Sequence, residues 1–114
     1  MLEIKNYHKL LYRKLEDTKK IIVEEYTIVH ISEEELYYEF EVVKYMEVEP
    51  SKYIIRLWRE PYNSKSHKNK DNTVYRITSN GGSDNKDKIE YDGYIGKDKI
   101  RSLERFIKEL FLFI

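Results

Sequence analysis

The feature that most constrains the fold is a two-residue alternation of apolar and polar side chains in the middle of the chain. It runs from about Leu36 to Glu49, with one set formed by Tyr38, Phe40, Val42, Met46 and Val48 and the other by Glu39, Glu41, Tyr45, Glu47 and Glu49. Successive side chains of a β-strand point to opposite faces, so the pattern predicts a strand with one buried and one solvated face. Lys44 alone interrupts the apolar set.

A helix over residues 33–46 is the alternative interpretation of this segment. Ser32 followed three residues later by Glu35 is a capping-box pattern, and Leu36, Phe40 and Val43 keep helical spacing. The strand is preferred because apolar and polar residues alternate from Tyr38 to Glu49.

Four more strands are predicted from segments that are rich in β-branched residues or alternate in polarity. These are Ile21 to Ile31, Lys52 to Glu60, Thr73 to Ser79 and Lys88 to Tyr94. Turn residues separate them at Pro50-Ser51 and Asn80-Gly81-Gly82. The polar residues 61–72 predict an exposed loop.

Helical periodicity flanks this group of strands on both sides. A three-to-four spacing of apolar residues predicts helices from about Leu2 to Lys20 and from Lys97 to about Phe113. The expected fold is therefore α+β, with about five antiparallel strands in a meander and both helices on one sheet face. The other face is then expected to be rich in tyrosine and charge.

The length of 114 residues allows one domain, residues 1–114. The chain has no cysteine, which excludes disulfides and thiolate metal sites. No apolar run approaches the ~20 residues of a membrane-spanning helix, and no signal peptide is recognisable. We therefore expect a cytoplasmic protein, in the host cytoplasm if it is viral, without a membrane association.

Charge is segregated along a chain whose net charge is zero. Residues 21–50 carry nine carboxylates and one lysine, a net charge of −8, whereas residues 51–72 carry a net charge of +4. A dipolar surface is typical of a protein that docks onto a partner. If the oppositely charged strands form a hairpin, however, part of this segregation is a ladder of structural ion pairs.

The leading functional hypothesis is a non-catalytic protein-binding domain, an inhibitor or adaptor that docks an acidic, tyrosine-rich face on a partner with a basic surface. Viral or mobile-element inhibitors of host nucleic-acid-handling defences, of the anti-CRISPR kind, share this profile of size and charge. The candidate partner-binding residues are Glu33, Glu34, Glu35, Glu39, Glu41, Tyr45, Glu47 and Glu49. The apolar tail Phe111, Phe113 and Ile114 either packs inside or forms a homodimer contact.

The second hypothesis is binding of RNA or single-stranded DNA through the basic strand and loop at 52–70. Phosphate attraction combined with aromatic stacking is the usual basis of such surfaces. The candidate residues are Arg56, Trp58, Arg59, Tyr62, Lys65, His67, Lys68 and Lys70.

Enzymatic activity, as a small hydrolase or nuclease, is the third hypothesis and the least favoured. It would depend on His67 or on an acid such as Glu41, but the glutamates of an alternating strand lie on its solvated side, without an apolar pocket to shift their pKa. The three histidines have no zinc-site spacing. We therefore expect no catalytic residues, metal or cofactor.

Overall fold

The computed structural model describes residues 4–45, 50–62, 74–82, 88–89, 91–96 and 102–113. Its elements are α1 (Ile4–Thr18), β1 (Ile21–Val23), β2 (Tyr26–Glu33), β3 (Tyr37–Lys44), β4 (Ser51–Tyr62), β5 (Val74–Ser79), β6 (Tyr91–Gly96) and α2 (Leu103–Phe111). The six strands form one antiparallel sheet in the order β1 to β6, so every strand neighbours the next along the chain. The predicted α+β fold, with terminal helices around a meander, is confirmed.

The strand count is six rather than about five because the segment Ile21 to Ile31 is divided by a turn. Val23 pairs with Tyr26, and the first of the two residues between them, Glu24, has a φ of 57°. A positive φ at this position is typical of two-residue hairpin turns, whose twist matches that of the strands. The single strand expected from Ile21 to Ile31 is therefore an edge hairpin, with the short β1 outside β2.

The predicted alternation in the middle of the chain is confirmed over β3, which excludes the helical alternative there. Tyr38, Phe40 and Val42 are buried, whereas Glu39 and Glu41 lie on the opposite face and are partly exposed. Met46, Val48 and the other residues of 46–49 lie outside the described residues. Lys44 stays at the rim of the buried face, where its Nζ lies 3.8 Å from a Glu25 carboxylate oxygen.

Both helices pack on the same face of the sheet. Phe106 of α2 lies between α1 and β3, with its ring 5.2 Å from that of Tyr7 and 6.3 Å from that of Phe40. The core includes further fully buried side chains from both layers: Leu11, Ile28, Ile55, Leu57, Ile77 and Leu110. One apolar layer between helices and sheet therefore holds the described elements together.

The second helix begins at Leu103 rather than at Lys97. Ser102 has extended backbone angles, and its hydroxyl accepts a hydrogen bond from the Arg105 N–H at 3.2 Å, which caps the helix. Of the apolar tail, Phe111 contacts the ring of Tyr26 at 5.1 Å, and Phe113 lies against Gly93 of β6. Phe111 and Phe113 therefore pack against the core, which was one of the two predictions for this tail. Ile114 lies outside the described residues.

The imidazole ring of His8 in α1 is buried in the helix-covered layer. The ring stacks on Tyr38 with centroids 4.1 Å apart, and only 5% of the residue is exposed. Its Nε2 atom has no hydrogen-bond partner. Burial away from water lowers the pKa of His8 below its usual value, with Glu33 opposing the shift and Arg59 adding to it.

Candidate interaction surface

The face of the sheet opposite the two helices carries cross-strand rows of charged and aromatic side chains. Because strand residues alternate, the register places the polar set of β3 beside those of β4, β5 and β6. One row runs Glu39, Arg56, Thr78 and Asp92 from strand to strand. We call this surface the ladder face and define it by Tyr37, Glu39, Glu41, Lys52, Arg56, Trp58, Arg76, Thr78, Asp92 and Tyr94.

The cations of the ladder face lie against carboxylates on neighbouring strands. Arg56 Nε lies 3.3 Å from Glu39 Oε1, and these side chains are only 15% and 13% exposed. Lys52 Nζ lies 3.4 Å from Glu41 Oε2. On β5 and β6, Arg76 donates from Nε and Nη2 to the two carboxylate oxygens of Asp92 at 3.2 and 3.3 Å. Three ion pairs therefore make this part of the surface electrically neutral.

The same arginines also lie over aromatic rings. The guanidinium carbon of Arg56 is 4.9 Å from the centroid of the Tyr37 ring, and that of Arg76 is 5.4 Å from the Trp58 ring. The rings of Tyr37 and Trp58 meet edge to face at 5.2 Å, and Trp58 Nε1 donates to Thr78 Oγ1 at 3.3 Å. Cation–π contacts and ion pairs together fix these long side chains in one arrangement.

The turn between β2 and β3 is held by Arg59 of β4. Its Nη1 donates to the carbonyl oxygens of Glu34 and Glu35 at 3.2 and 3.3 Å, and its Nη2 lies 3.3 Å from Glu33 Oε1. The side chains of Glu34 and Glu35, which we call the acidic tip, are exposed and form no ion pair with a described residue. The neighbouring Leu36 is 60% exposed. The acidic tip is thus presented beside Tyr37, at one end of the ladder face.

The structure divides the predicted partner-binding residues into three groups. Glu33, Glu39 and Glu41 are in ion pairs with Arg59, Arg56 and Lys52, so this part of the charge segregation is the structural ladder that the sequence allowed. Glu34, Glu35 and Tyr45 are exposed. Glu47 and Glu49 lie outside the described residues.

The predicted nucleic-acid residues are brought together only in part. Arg56 and Trp58 are on the ladder face, whereas Arg59 holds the turn at its end. Tyr62 is the last residue of β4, and its side chain is not described. Lys65, His67, Lys68 and Lys70 lie outside the described residues. Sequence reasoning missed Arg76 and Asp92, although the alternation of Arg76 with the apolar Ile77 could have placed it on this face.

The chain matches no protein-family profile, no curated protein and no solved structure. Within the described residues, no group of three His, Cys, Asp or Glu side chains could hold a metal ion. Neither described helix is long and apolar enough to cross a membrane.

Proposed function

We propose that the protein is a non-catalytic protein-binding domain, an inhibitor or adaptor, and that the ladder face with the acidic tip is its interface. The observation that carries the proposal is the contiguous set of Tyr37, Arg56, Trp58 and Arg76, which contact one another across three strands. Tyr, Trp and Arg are the residue types that contribute most to binding energy at protein interfaces. Fixing their rotamers before binding reduces the entropy lost on association.

Electroneutrality favours a protein partner over a nucleic acid. A phosphate that approached Arg56 or Arg76 would meet the carboxylates of Glu39 and Asp92, which already lie about one hydrogen-bond length from the guanidinium groups. Nucleic-acid affinity comes largely from unmatched cations that replace counterions along the backbone. The juxtaposition of Arg56, Trp58 and Arg76 is nevertheless the observation that favours RNA or single-stranded DNA as the second candidate.

The acidic tip gives the partner its expected chemistry. Glu34 and Glu35 project from a turn that Arg59 holds in place, so their charge is offered to a partner at little conformational cost. We expect basic side chains on the partner opposite the acidic tip and an apolar or aromatic patch opposite Trp58 and Tyr37. The basic partner surface is therefore kept in the proposal, but its contact is with Glu34 and Glu35, which form no ion pair with a described residue, rather than with Glu39 and Glu41.

The test compares two tyrosines of the same strand that lie on opposite faces. Tyr94 is 49% exposed on the ladder face, where it is opposite Arg76, whereas Tyr91 is 53% exposed and opposite Ser79, on the other face. We expect immobilised Tyr91→Ala to retain the same proteins from an extract of the source organism as the wild type. We expect Tyr94→Ala to lose them, with the affinity of the purified partner then measured by calorimetry.

Three results would contradict this proposal. Equal retention by both tyrosine variants would move the interface away from the ladder face. Retention abolished by nuclease, together with anisotropy of labelled single-stranded RNA and DNA that falls linearly on a log–log salt plot, would establish the nucleic-acid alternative. A single species of twice the monomer mass in light scattering, lost in Tyr94→Ala, would show that the partner is a second copy of this chain.

The narrower hypothesis concerns the partner's identity. An inhibitor of a host nucleic-acid-handling defence enzyme would use the acidic tip to occupy a nucleic-acid groove, because carboxylates can replace phosphates in such a groove. In a plaque assay on a defence-competent host, we expect the wild-type protein to inhibit the defence and the double variant Glu34→Lys with Glu35→Lys to lose this inhibition. Inhibition of the defence by the double variant, or no inhibition by the wild type, would exclude this use of the acidic tip.

A further inference from the structure

The outer edge of β2 is paired along less than half of its length. The short strand β1 pairs only with Tyr26, Thr27 and Ile28. A register shift between Ile28 and His30 then bends β2, and the rest of the strand pairs on its other side with β3. Among the described residues, no strand covers the outer edge of 29–33. Alternate residues of this stretch therefore direct backbone N–H and C=O groups outward without a strand partner, although the backbone of Ser32 already forms a hydrogen bond with His8 of α1.

A cavity of about 440 Å³ lies along this edge, between β2 and α1. Four consecutive strand residues line it on one side: His30, Ile31, Ser32 and Glu33. Neighbouring strand residues point to opposite faces, so a cavity that all four line runs along the edge of the strand rather than over one face. The opposite wall comes from α1, through His8, Lys9, Tyr12 and Arg13. We call this cavity the edge groove.

The α1 wall of the edge groove is positively charged. Lys9 and Arg13 are four residues apart, so they lie on the same side of the helix, and both are exposed. Neither forms an ion pair with a described residue, whereas Glu33 on the opposite wall is already paired with Arg59 at 3.3 Å. Tyr12, 43% exposed, lies between the two cations in sequence and adds a ring and a hydroxyl group. The groove thus joins an unpaired strand edge to two unmatched positive charges.

We propose that the edge groove binds an extended acidic peptide segment of a partner protein, which adds as a strand to the outer edge of β2. Backbone pairing with residues 30–33 would hold about four peptide residues, a span of roughly 13 Å. Acidic side chains on alternate peptide residues would then face Lys9 and Arg13. A free phosphate would use the cations but leave the strand edge unpaired, so the open edge favours a peptide. This site is separate from the ladder face and does not depend on the proposed function.

The test is a selection of displayed random decapeptides on the wild-type protein, with a charge-reversed variant as the reference. We expect enrichment of peptides with acidic residues at alternate positions. Lys9→Glu with Arg13→Glu should weaken the binding of a synthetic enriched peptide at least about tenfold. The matched control is Lys14→Glu with Lys20→Glu, which makes the same change in charge at exposed lysines outside the groove and should leave the affinity within about twofold.

Backbone pairing is tested separately from charge. N-methylation of alternate amides of the enriched peptide should abolish binding to the protein. Binding of the unmethylated peptide should slow amide hydrogen exchange of the protein within residues 29–33. Enrichment of no acidic peptide, an N-methylated peptide that binds as well as its parent, or exchange protection elsewhere would each overturn the proposal. Tyr94→Ala should leave peptide affinity unchanged, so failure at the edge groove and failure at the ladder face are distinguishable.

Discussion

The two faces of this sheet are built from the same strands but are stabilised by different physics. On the helix-covered face, Phe40, Leu57 and Ile77 are completely buried and contribute through the removal of apolar surface from water. On the ladder face, Glu39 and Arg56 lie one residue away from those positions and contribute through directional contacts. An exposed ion pair such as Arg76–Asp92 stabilises a fold by only about 0–1 kcal/mol. The comparison teaches that the covered face contributes most of the stability, whereas the ladder face contributes less and mainly orders a surface.

The largest effect is expected from the covered face. Phe106→Ala removes the ring that contacts both Tyr7 and Phe40, and it should lower the free energy of unfolding by about 3–5 kcal/mol in a urea titration. Leu112→Ala, at a site 74% exposed, is the control and should change it by less than about 0.5 kcal/mol. If Phe106→Ala does not fold, Phe106→Leu gives a smaller loss that can be measured. A loss equal to that of the control would show that the helices are not held by this layer.

An intermediate effect is expected within the ladder face, where burial differs between two ion pairs. Glu39→Ala removes the carboxylate beside an Arg56 side chain that is 15% exposed, which should cost about 1–3 kcal/mol. Asp92→Ala acts on an Arg76 side chain that is 43% exposed and should cost less than about 1 kcal/mol. Both losses are measured by urea unfolding at low and high salt. Equal losses would contradict the assignment of this difference to burial.

A further effect is confined to acidic conditions and concerns His8. Because burial lowers its pKa in the folded state, the unfolded chain takes up the proton more readily. The free energy of unfolding should therefore fall as the pH decreases below about 6.5. The stability contributed by a neutral, buried His8 is fully present only above this pH. His8→Phe should remove this part of the pH dependence between about pH 7.5 and pH 5, whereas His30→Asn, at an exposed site, should not. Parallel pH profiles for wild type and His8→Phe would contradict it.

The smallest global effect is expected where Arg59 holds the turn between β2 and β3. Arg59→Ala should cost about 1 kcal/mol or less in unfolding, but it should speed amide hydrogen exchange at residues 34–36. Arg59→Lys keeps the charge without the forked donor geometry and should restore only part of the protection. Unchanged amide exchange in Arg59→Ala would show that backbone contacts alone order the turn between β2 and β3.

Sequence periodicity predicted most of the fold, because the type of each element follows from the local repeat of its apolar residues. The alternation around Phe40 and the three-to-four spacing before and after the sheet predicted the element types, and their order along the chain predicted a meander. The boundaries were less accurate: the turn at Glu24 and the start of α2 at Leu103 depend on backbone angles and on a cap that the wider pattern does not specify.

The interaction surface was predictable only in its components. The sequence predicted that acids and bases would meet if the two strands formed a hairpin, but which of them form pairs depends on the register, which sets Glu39 opposite Arg56. Arg76 and Asp92 are distant in the chain from Trp58, and the sheet order places Arg76 over its ring. No local pattern in the sequence marks such a contact.

By itself, the sequence determined which side chains face each way, because side-chain direction follows from the two-residue repeat of a strand and the 3.6-residue repeat of a helix. Only the tertiary structure decided which charges remain unmatched. Pairing depends on distances between strands, so Glu39 and Glu41 are neutralised, whereas Glu34, Glu35, Lys9 and Arg13 have no ionic partner among the described residues. The unpaired edge of β2 has the same origin, because β2 continues beyond Ile28, which pairs with the first residue of the shorter β1.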